Sequence, residues 1–296
     1  MAQDSLIHSN SMRKDFQLTP KLKEFLSFDL GSMDKTKYKN KIVDISYYKD
    51  LKCDIYYPDE TKDKYPVFLI VFGGGWISGN KEMRFIEDML KPLKYGYACM
   101  VINYTLALDE VFPRPVLDVK QAILFIHQNH DLYHFDDTDI TVWGESAGGH
   151  LALEASLIPN QIFNLELNTT VKNLVIFYPL VDIDTVDQDI ALQEDKYKQE
   201  DSLIGALLGE NINHDEMLYL VSPIHFIHKD MPSLFLQHGK KDRLIPVRQS
   251  EELIHKMKDY PNVRFTYELL ENEDHCTDYF FSDENVNKII EFIRGK

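Results

Sequence analysis

Ser146, Asp242 and His275 lie far apart in the chain, yet their types and local settings suit one kind of chemistry. A serine hydroxyl is a weak nucleophile at neutral pH, so it needs a base to take its proton and a third group to orient that base. Ser146 stands in "ITVWGESAGGHLALEA", residues 140 to 155, after a run of strand formers and before a run of helix formers. A strand ending at Trp143 and a helix starting near Ala147 leave three residues to reverse the chain, a turn tight enough to force one of them into a strained conformation. Gly144 and Gly148 lack a Cβ, so neighbouring backbone can come close. The serine oxygen then stands at the strand's end beside the first amides of a helix, where negative charge is favoured. This is the G-x-S-x-G nucleophile elbow, in the strand and helix context that the motif requires.

Two later segments offer the partners. "FLQHGKKDRLIPV" ends an apolar run with Gly239 and then presents Asp242, and "ELLENEDHCTDYF" ends the last such run and presents His275. Each falls in a loop at a strand's carboxyl end, as Ser146 does, so a parallel sheet would bring all three to one edge. Asp182, after "FYPLV", is the alternative carboxylate, and His238 is placed within or just past its strand. The spacing of His127, His130 and His134 only loosely resembles a metal site, and these residues fit a solvated helix face better. No metal or organic cofactor is expected. A fourth element is "VFGGGWISG", residues 71 to 79. When a serine attacks an acyl carbon, charge builds on the carbonyl oxygen, and a glycine loop can aim backbone N–H groups at it. Gly74 and Gly75, with the amide of Ala147, are the candidate oxyanion donors. A phosphate cradle is the competing use of such a loop, but the Lys-Ser/Thr pair of a P-loop is missing and "GGGW" does not fit G-x-G-x-x-G.

The elements that must position these groups are legible as an alternation. "IVDISYY" and "LKCDIYY", split by Lys49-Asp50, predict an antiparallel hairpin. "VFLIVF", "YACMVIN", "DITVW", "NLVIFY", "SLFLQ" and "VRFTYELL" are short, nearly continuous apolar runs, the mark of strands covered on both faces. Helical patterns separate most of them: "VLDVKQAILFIHQN" puts Leu117, Ile123 and Ile126 on one side, and "VRQSEELIHKMKD" and "NVNKIIEFI" repeat that spacing. Strands alternating with helices imply an α/β fold with a mostly parallel eight-stranded sheet and crossover helices. Residues 1–41 are polar, with one amphipathic patch at "PKLKEFLSF", and are expected to form an arm on the domain that follows, 42–296. Acidic, helix-prone residues 182–222 interrupt the rhythm and are expected to form a small helical cap over the sheet's carboxyl edge, where ligands bind in open α/β sheets.

Composition narrows the partners. A hydrophobic share of 44% and a charged share of 27% are those of a globular chain, and 296 residues suffice for one well-buried α/β domain. The formal charge of −16 and the absence of a basic run argue against nucleic acid. No apolar stretch is long enough to span a bilayer, and "MAQDSLIHSNSMRKDFQ" has no secretory pattern, so no membrane is expected and the cytoplasm is the expected location. Cys53, Cys99 and Cys276 are odd in number and lack CxxC spacing, which suits reduced thiols. Cys276, beside the candidate base, is expected to be a buried small apolar residue.

Taken together, "GGGWISG", "GESAGGHLA", "YPLVD", "SPI", "HGKKDRLIPV" and "EDHC" resemble the α/β-hydrolase superfamily, in particular its carboxylesterases near the hormone-sensitive-lipase and feruloyl-esterase-like branches. The resemblance covers nearly the whole chain from residue 42. It implies Ser146 as nucleophile, Asp242 as orienting acid, His275 as base, and Gly74, Gly75 and Ala147 as oxyanion donors, acting on a small-molecule ester of acetyl or feruloyl type. It also implies two alternatives: an arylformamidase working by the same triad on N-formylkynurenine-type amides, or a binding protein that keeps the fold without catalysis. Relatives that assemble into dimers or larger forms make a homo-oligomer an open expectation. One departure stands out: Phe72 occupies the place of the histidine that usually opens the glycine loop, so its hydrogen bonds must come from elsewhere.

Overall fold

The computed structural model describes residues 30–166, 170–186, 188, 189, 203–209 and 215–295. Most of the expected arm, with "PKLKEFLSF", and much of the expected cap lie outside them.

Eight strands form one sheet: β1 (Lys41–Tyr48), β2 (Leu51–Tyr56), β3 (Tyr65–Val71), β4 (Ala98–Ile102), β5 (Phe135–Glu145), β6 (Asn173–Phe177), β7 (Ser233–Gly239) and β8 (Phe265–Leu270). Their order is β1-β2-β4-β3-β5-β6-β7-β8. β1 pairs with β2, and β2 with β4, antiparallel; every pairing from β4 through β8 is parallel. The six runs read as strands are therefore strands, and the hairpin forms as expected. Val67 to Val71, and every residue of β4 and β6, are buried, which explains their unbroken apolar character. β8 departs from that reading: it is only half-buried along its length because it is the edge of the sheet.

Helices α1 (Arg114–Gln128), α2 (Ala147–Leu157), α3 (Leu203–Leu208), α4 (Asp215–Leu220), α5 (Val247–Met257) and α6 (Asp283–Ile293) join or follow the strands. α1 buries Ile123 and Ile126 as its periodicity requires, with Leu117 only partly covered. α2 differs in being buried on nearly every side, so it is apolar all round and has no solvated face. α3 and α4 are what the described residues show of the expected cap, and the amide of Phe112 donates to Leu207 O of α3 at 2.9 Å. No described helix is long and apolar enough to cross a membrane.

Strand order places the site. The chain leaves β3 for β4 on one side, then crosses back over β3 to enter β5 on the other. The two successive connections diverge there and leave a crevice outside the carboxyl ends of β3 and β5. The glycine loop leaves β3 at that crevice and Ser146 leaves β5, with Val71 and Gly144 in register.

The far end of the glycine loop is pinned by charge. Lys81, almost wholly buried, donates to Asp44 Oδ1 at 2.8 Å and to the fully buried Asp54 Oδ1 at 2.7 Å. Lys35 reaches Asp54 Oδ2 at 2.6 Å. Burial opposes the charge on both Asp54 and Lys81, but these hydrogen bonds outweigh it, holding the Asp54 pKa below and the Lys81 pKa above its ordinary value. Removing one partner of such a buried pair typically costs about 3–5 kcal/mol, because the other charge is left unpaired.

Candidate active site

The elbow is tighter than the spacing suggests. β5 runs on through Glu145 rather than ending at Trp143, because Gly144 and Glu145 keep pairing with Ile176 and Phe177 of β6. Only Ser146 is left between β5 and α2, and it takes the whole reversal at φ 51° and ψ −124°. Such a residue stores on the order of 1–3 kcal/mol of strain and persists only where its surroundings fix it. Here the Ser146 amide donates to Phe177 O at 3.0 Å, and Ser146 O accepts from the His150 amide at 3.0 Å. Two glycines make room. A Cβ on Gly144 would run into the Gly148 carbonyl, and one on Gly148 into the carbonyls of Val71 and Phe72.

The three residues singled out by type come together. His275 Nε2 is 3.0 Å from Ser146 Oγ, and His275 Nδ1 is 2.7 Å from Asp242 Oδ2. A carboxylate can only accept, so Nδ1 carries the proton and Nε2 presents its lone pair to the serine hydroxyl. Asp242 Oδ1 also accepts from the amides of Leu244 and Ile245, both at 2.8 Å. Burial works against the Asp242 charge, but His275 and His238 outweigh it and hold the carboxyl well below the usual carboxylate range. For His275 burial pulls the pKa down, yet the Asp242 carboxylate more than offsets this and the net shift is upward from 6.5.

The competing candidates lie elsewhere. Asp182 accepts from the Asp184 amide at 3.1 Å, and the carboxylate on His275 Nδ1 is that of Asp242 instead. His238 sits inside β7, where its Nε2 donates to Ile245 O at 3.0 Å and its Nδ1 accepts from Ser250 Oγ at 2.7 Å. It therefore buttresses the acid's loop. His127, His130 and His134 face separate partners: Asp137, Asp131 with Lys64, and Asp63 O. Among the described residues no group of three or more His, Cys, Asp or Glu side chains could hold a metal ion.

Phe72 is answered by residues that motif reading passes over. Its ring stacks on Tyr104 with centroids 4.4 Å apart, and Tyr104 Oη donates to Phe72 O at 3.0 Å. Glu145, buried directly before the nucleophile, accepts the Gly73 amide through its carboxylate. The loop's own turn is closed by Gly74 O, which accepts from the amides of Ile77 and Ser78 and from Ser78 Oγ. The amides of Gly74, Gly75 and Ala147 meet no acceptor among the described residues. A Cβ on Gly75 would touch Leu203, so α3 lies directly against this loop.

The base's loop carries two features that the sequence did not announce. Arg243 Nε donates to Asp274 Oδ2 at 2.6 Å, and Asp274 Oδ1 accepts the amides of Arg243 at 3.0 Å and His275 at 2.8 Å. This clamp binds the acid's loop to the base's loop. Cys276 is an exposed residue at φ 58°, in the loop beyond β8, not the buried small apolar residue expected of it. Although the residue meets solvent, the protein packed around its sulfur desolvates it, and this, with the nearby Glu145 carboxyl, pushes the thiol up to about 12, so it stays protonated at neutral pH. Tyr178, fully buried, packs its ring on the imidazole with centroids 4.4 Å apart. Tyr219, in α4, is 49% exposed and stacked on His225.

Comparison with known proteins agrees with this architecture. The chain is 27% identical over 217 residues to Esterase LipQ of Mycobacterium tuberculosis (strain ATCC 25618 / H37Rv), which covers 72% of this chain and 50% of LipQ. It is 29% identical over 219 residues to the probable carboxylic ester hydrolase LipM of the same organism, covering 72% and 49%. The chain thus spans about half the length of the curated relatives it matches. Among solved structures, a truncated carbohydrate esterase from gut microbiota superposes with a TM-score of 0.77 at 23% identity, covering 90% of this chain and 99% of that one. Esterase 2 of Thermogutta terrifontis, phosphonylated by sarin, gives 0.67 at 22% identity, covering 87% and 95%. Both share the α/β-hydrolase fold. The BD-FAE family profile matches residues 53–257, from β2 to the end of α5 and across the elbow, the glycine loop and the acid: the chain belongs to the BD-FAE family.

Proposed function

We propose that this protein is a serine carboxylesterase that hydrolyses small acyl or aryl esters through an acyl-enzyme intermediate. The observation that carries the reading is the hydrogen-bonded series Ser146 Oγ, His275 Nε2, His275 Nδ1, Asp242 Oδ2, whose tautomer leaves a lone pair on the serine proton. Relatives named as esterase and carboxylic ester hydrolase support the ester class. In this mechanism Ser146 attacks the ester carbon as His275 takes its proton, and Asp242 stabilises the imidazolium without being protonated itself. The amides of Gly74, Gly75 and Ala147 receive the oxyanion. The alcohol leaves with the proton from His275, which then activates water for deacylation. The place of action is proposed to be the cytoplasm, supported by three cysteines that are all free thiols.

Incubation with a fluorophosphonate probe should label Ser146 stoichiometrically, and turnover of p-nitrophenyl acetate and a feruloyl ester should exceed that of N-formylkynurenine. An unlabelled serine would favour a binding protein. Faster hydrolysis of the formamide would move the substrate class to arylformamides.

The pH profile should follow His275. Its imidazole must be neutral to act as base, and its folded pKa lies above 6.5, so kcat/KM should fall as pH drops through that raised value. The same shift has the opposite effect on stability. A protonated His275 stabilises the fold fully below the unfolded pKa, and that contribution is lost as pH rises through the folded one. A kcat/KM series between pH 5 and pH 9 reads the first, and an activity that stays flat across it would contradict the assignment of the base.

A further inference from the structure

His150 lies one turn into α2 from the nucleophile and is fully buried. Its ring faces two different parts of the site. Trp76 Nε1, in the glycine loop, donates to His150 Nδ1 at 3.3 Å, with the two rings edge to face at 5.2 Å between centroids. His150 Nε2 lies 2.8 Å from Val221 O, and a carbonyl can only accept, so Nε2 carries the proton. Together the two partners fix a neutral imidazole in one tautomer. Burial lowers its pKa to about 4, which agrees with that state.

Each partner sits where position matters. Val221 follows α4 at the point where the cap returns to the sheet domain: Ile224 donates to Val181 O at 3.1 Å there, and the Ile183 amide to Ser222 Oγ at 2.9 Å. Trp76 follows Gly75 directly and sits at φ 63°, a conformation that an L-residue with a bulky side chain keeps only when its neighbours hold it. Its carbonyl accepts the Ala107 amide at 2.8 Å, and its indole N–H ends on His150. The remaining polar neighbour of the ring, Glu154 Oε2 at 3.4 Å from Nδ1, is itself fully buried.

We propose that His150 is a positioning residue for the reaction: its imidazole ties the glycine loop to the returning end of the cap and so sets the distance of the oxyanion amides from Ser146. It touches neither substrate nor Ser146 Oγ; it acts through Trp76. The inference rests on the esterase reading above. A misplacement of the loop is felt in the transition state, where charge develops on the oxygen, more than in ground-state binding.

The test is a double-mutant cycle on Trp76→Phe and His150→Phe with p-nitrophenyl acetate, reading kcat and KM separately. Each single variant should lower kcat about 10- to 100-fold with KM within about threefold of wild type, since an ångström of misplacement costs roughly that much. The double variant should be no slower than the worse single one, because both remove the same link. Single variants at wild-type kcat, effects that multiply in the double variant, or losses confined to KM would overturn the proposal. Should the double variant fail to fold, Trp76→Phe serves alone: it keeps an aromatic ring in the glycine loop and gives up the N–H that His150 Nδ1 accepts. A tenfold loss of kcat then supports the link, and wild-type kcat overturns it. Wild-type protein that turns over no ester overturns both readings, whereas active wild type with unaffected variants overturns this one only.

Discussion

Ser146→Ala is expected to abolish ester turnover, lowering kcat by roughly five to six orders of magnitude, the loss seen when a member of such a triad that acts as a unit is removed. The fold should survive. Among the described residues Ser146 Oγ pairs with His275 Nε2 alone, so the variant loses one hydrogen bond, worth about 1 kcal/mol. The φ of 51° is imposed by pairing of the Ser146 amide and carbonyl, which alanine retains. Steady-state turnover of p-nitrophenyl acetate and a thermal melt on the same sample check both halves. Residual hydrolysis near the wild-type rate, from a preparation free of wild-type enzyme, would remove Ser146 from the mechanism.

The second large effect is expected at Asp242→Asn, with kcat down by about 10⁴-fold at neutral pH. The argument is one of tautomers. Leu244 and Ile245 both direct amides at Oδ1, so an asparagine would give them its oxygen and turn its NH₂ toward His275 Nδ1. A donor there demands a lone pair on Nδ1, which moves the imidazole proton to Nε2, where it faces Ser146 Oγ and the ring can no longer act as base. Asp182→Asn is the control, expected to stay within about threefold of wild type on the same scale of effects, since its carboxyl serves the Asp184 amide instead. Comparable losses in both variants would mean that the acid has been misassigned.

How much of this could be read from residue order depended on distance along the chain. The alternation of apolar runs and helical periodicity is local, so every strand was visible, and the loops after β5, β7 and β8 pointed by their common position to the three side chains that the structure brings together. Contacts across the sheet were not visible in the same way. Glu145 meets the Gly73 amide across 72 residues, and Tyr104 meets Phe72 O across 32, so nothing near Phe72 announces what replaces the missing imidazole. The same holds for Arg243 and Asp274, and for His150, whose buried ring reads as one more polar residue in a helix until its two partners are seen. Cys276 was misjudged because burial of a cysteine is a statement about averages, whereas here the residue lies in the loop beyond β8, at φ 58°, and is exposed. The extra two residues of β5 follow from pairing with β6, which no local pattern encodes.

The order in which the sheet is assembled has one more consequence. The imidazole hangs from the loop after β8, the outermost strand and the last to leave a ribosome, whereas the alcohol is delivered with β5. Since domains begin to form while the polypeptide is still being synthesised, a nascent chain can already hold its serine on a nearly finished scaffold and yet be inert. On the esterase reading, chemical competence therefore has to wait for this final edge to dock.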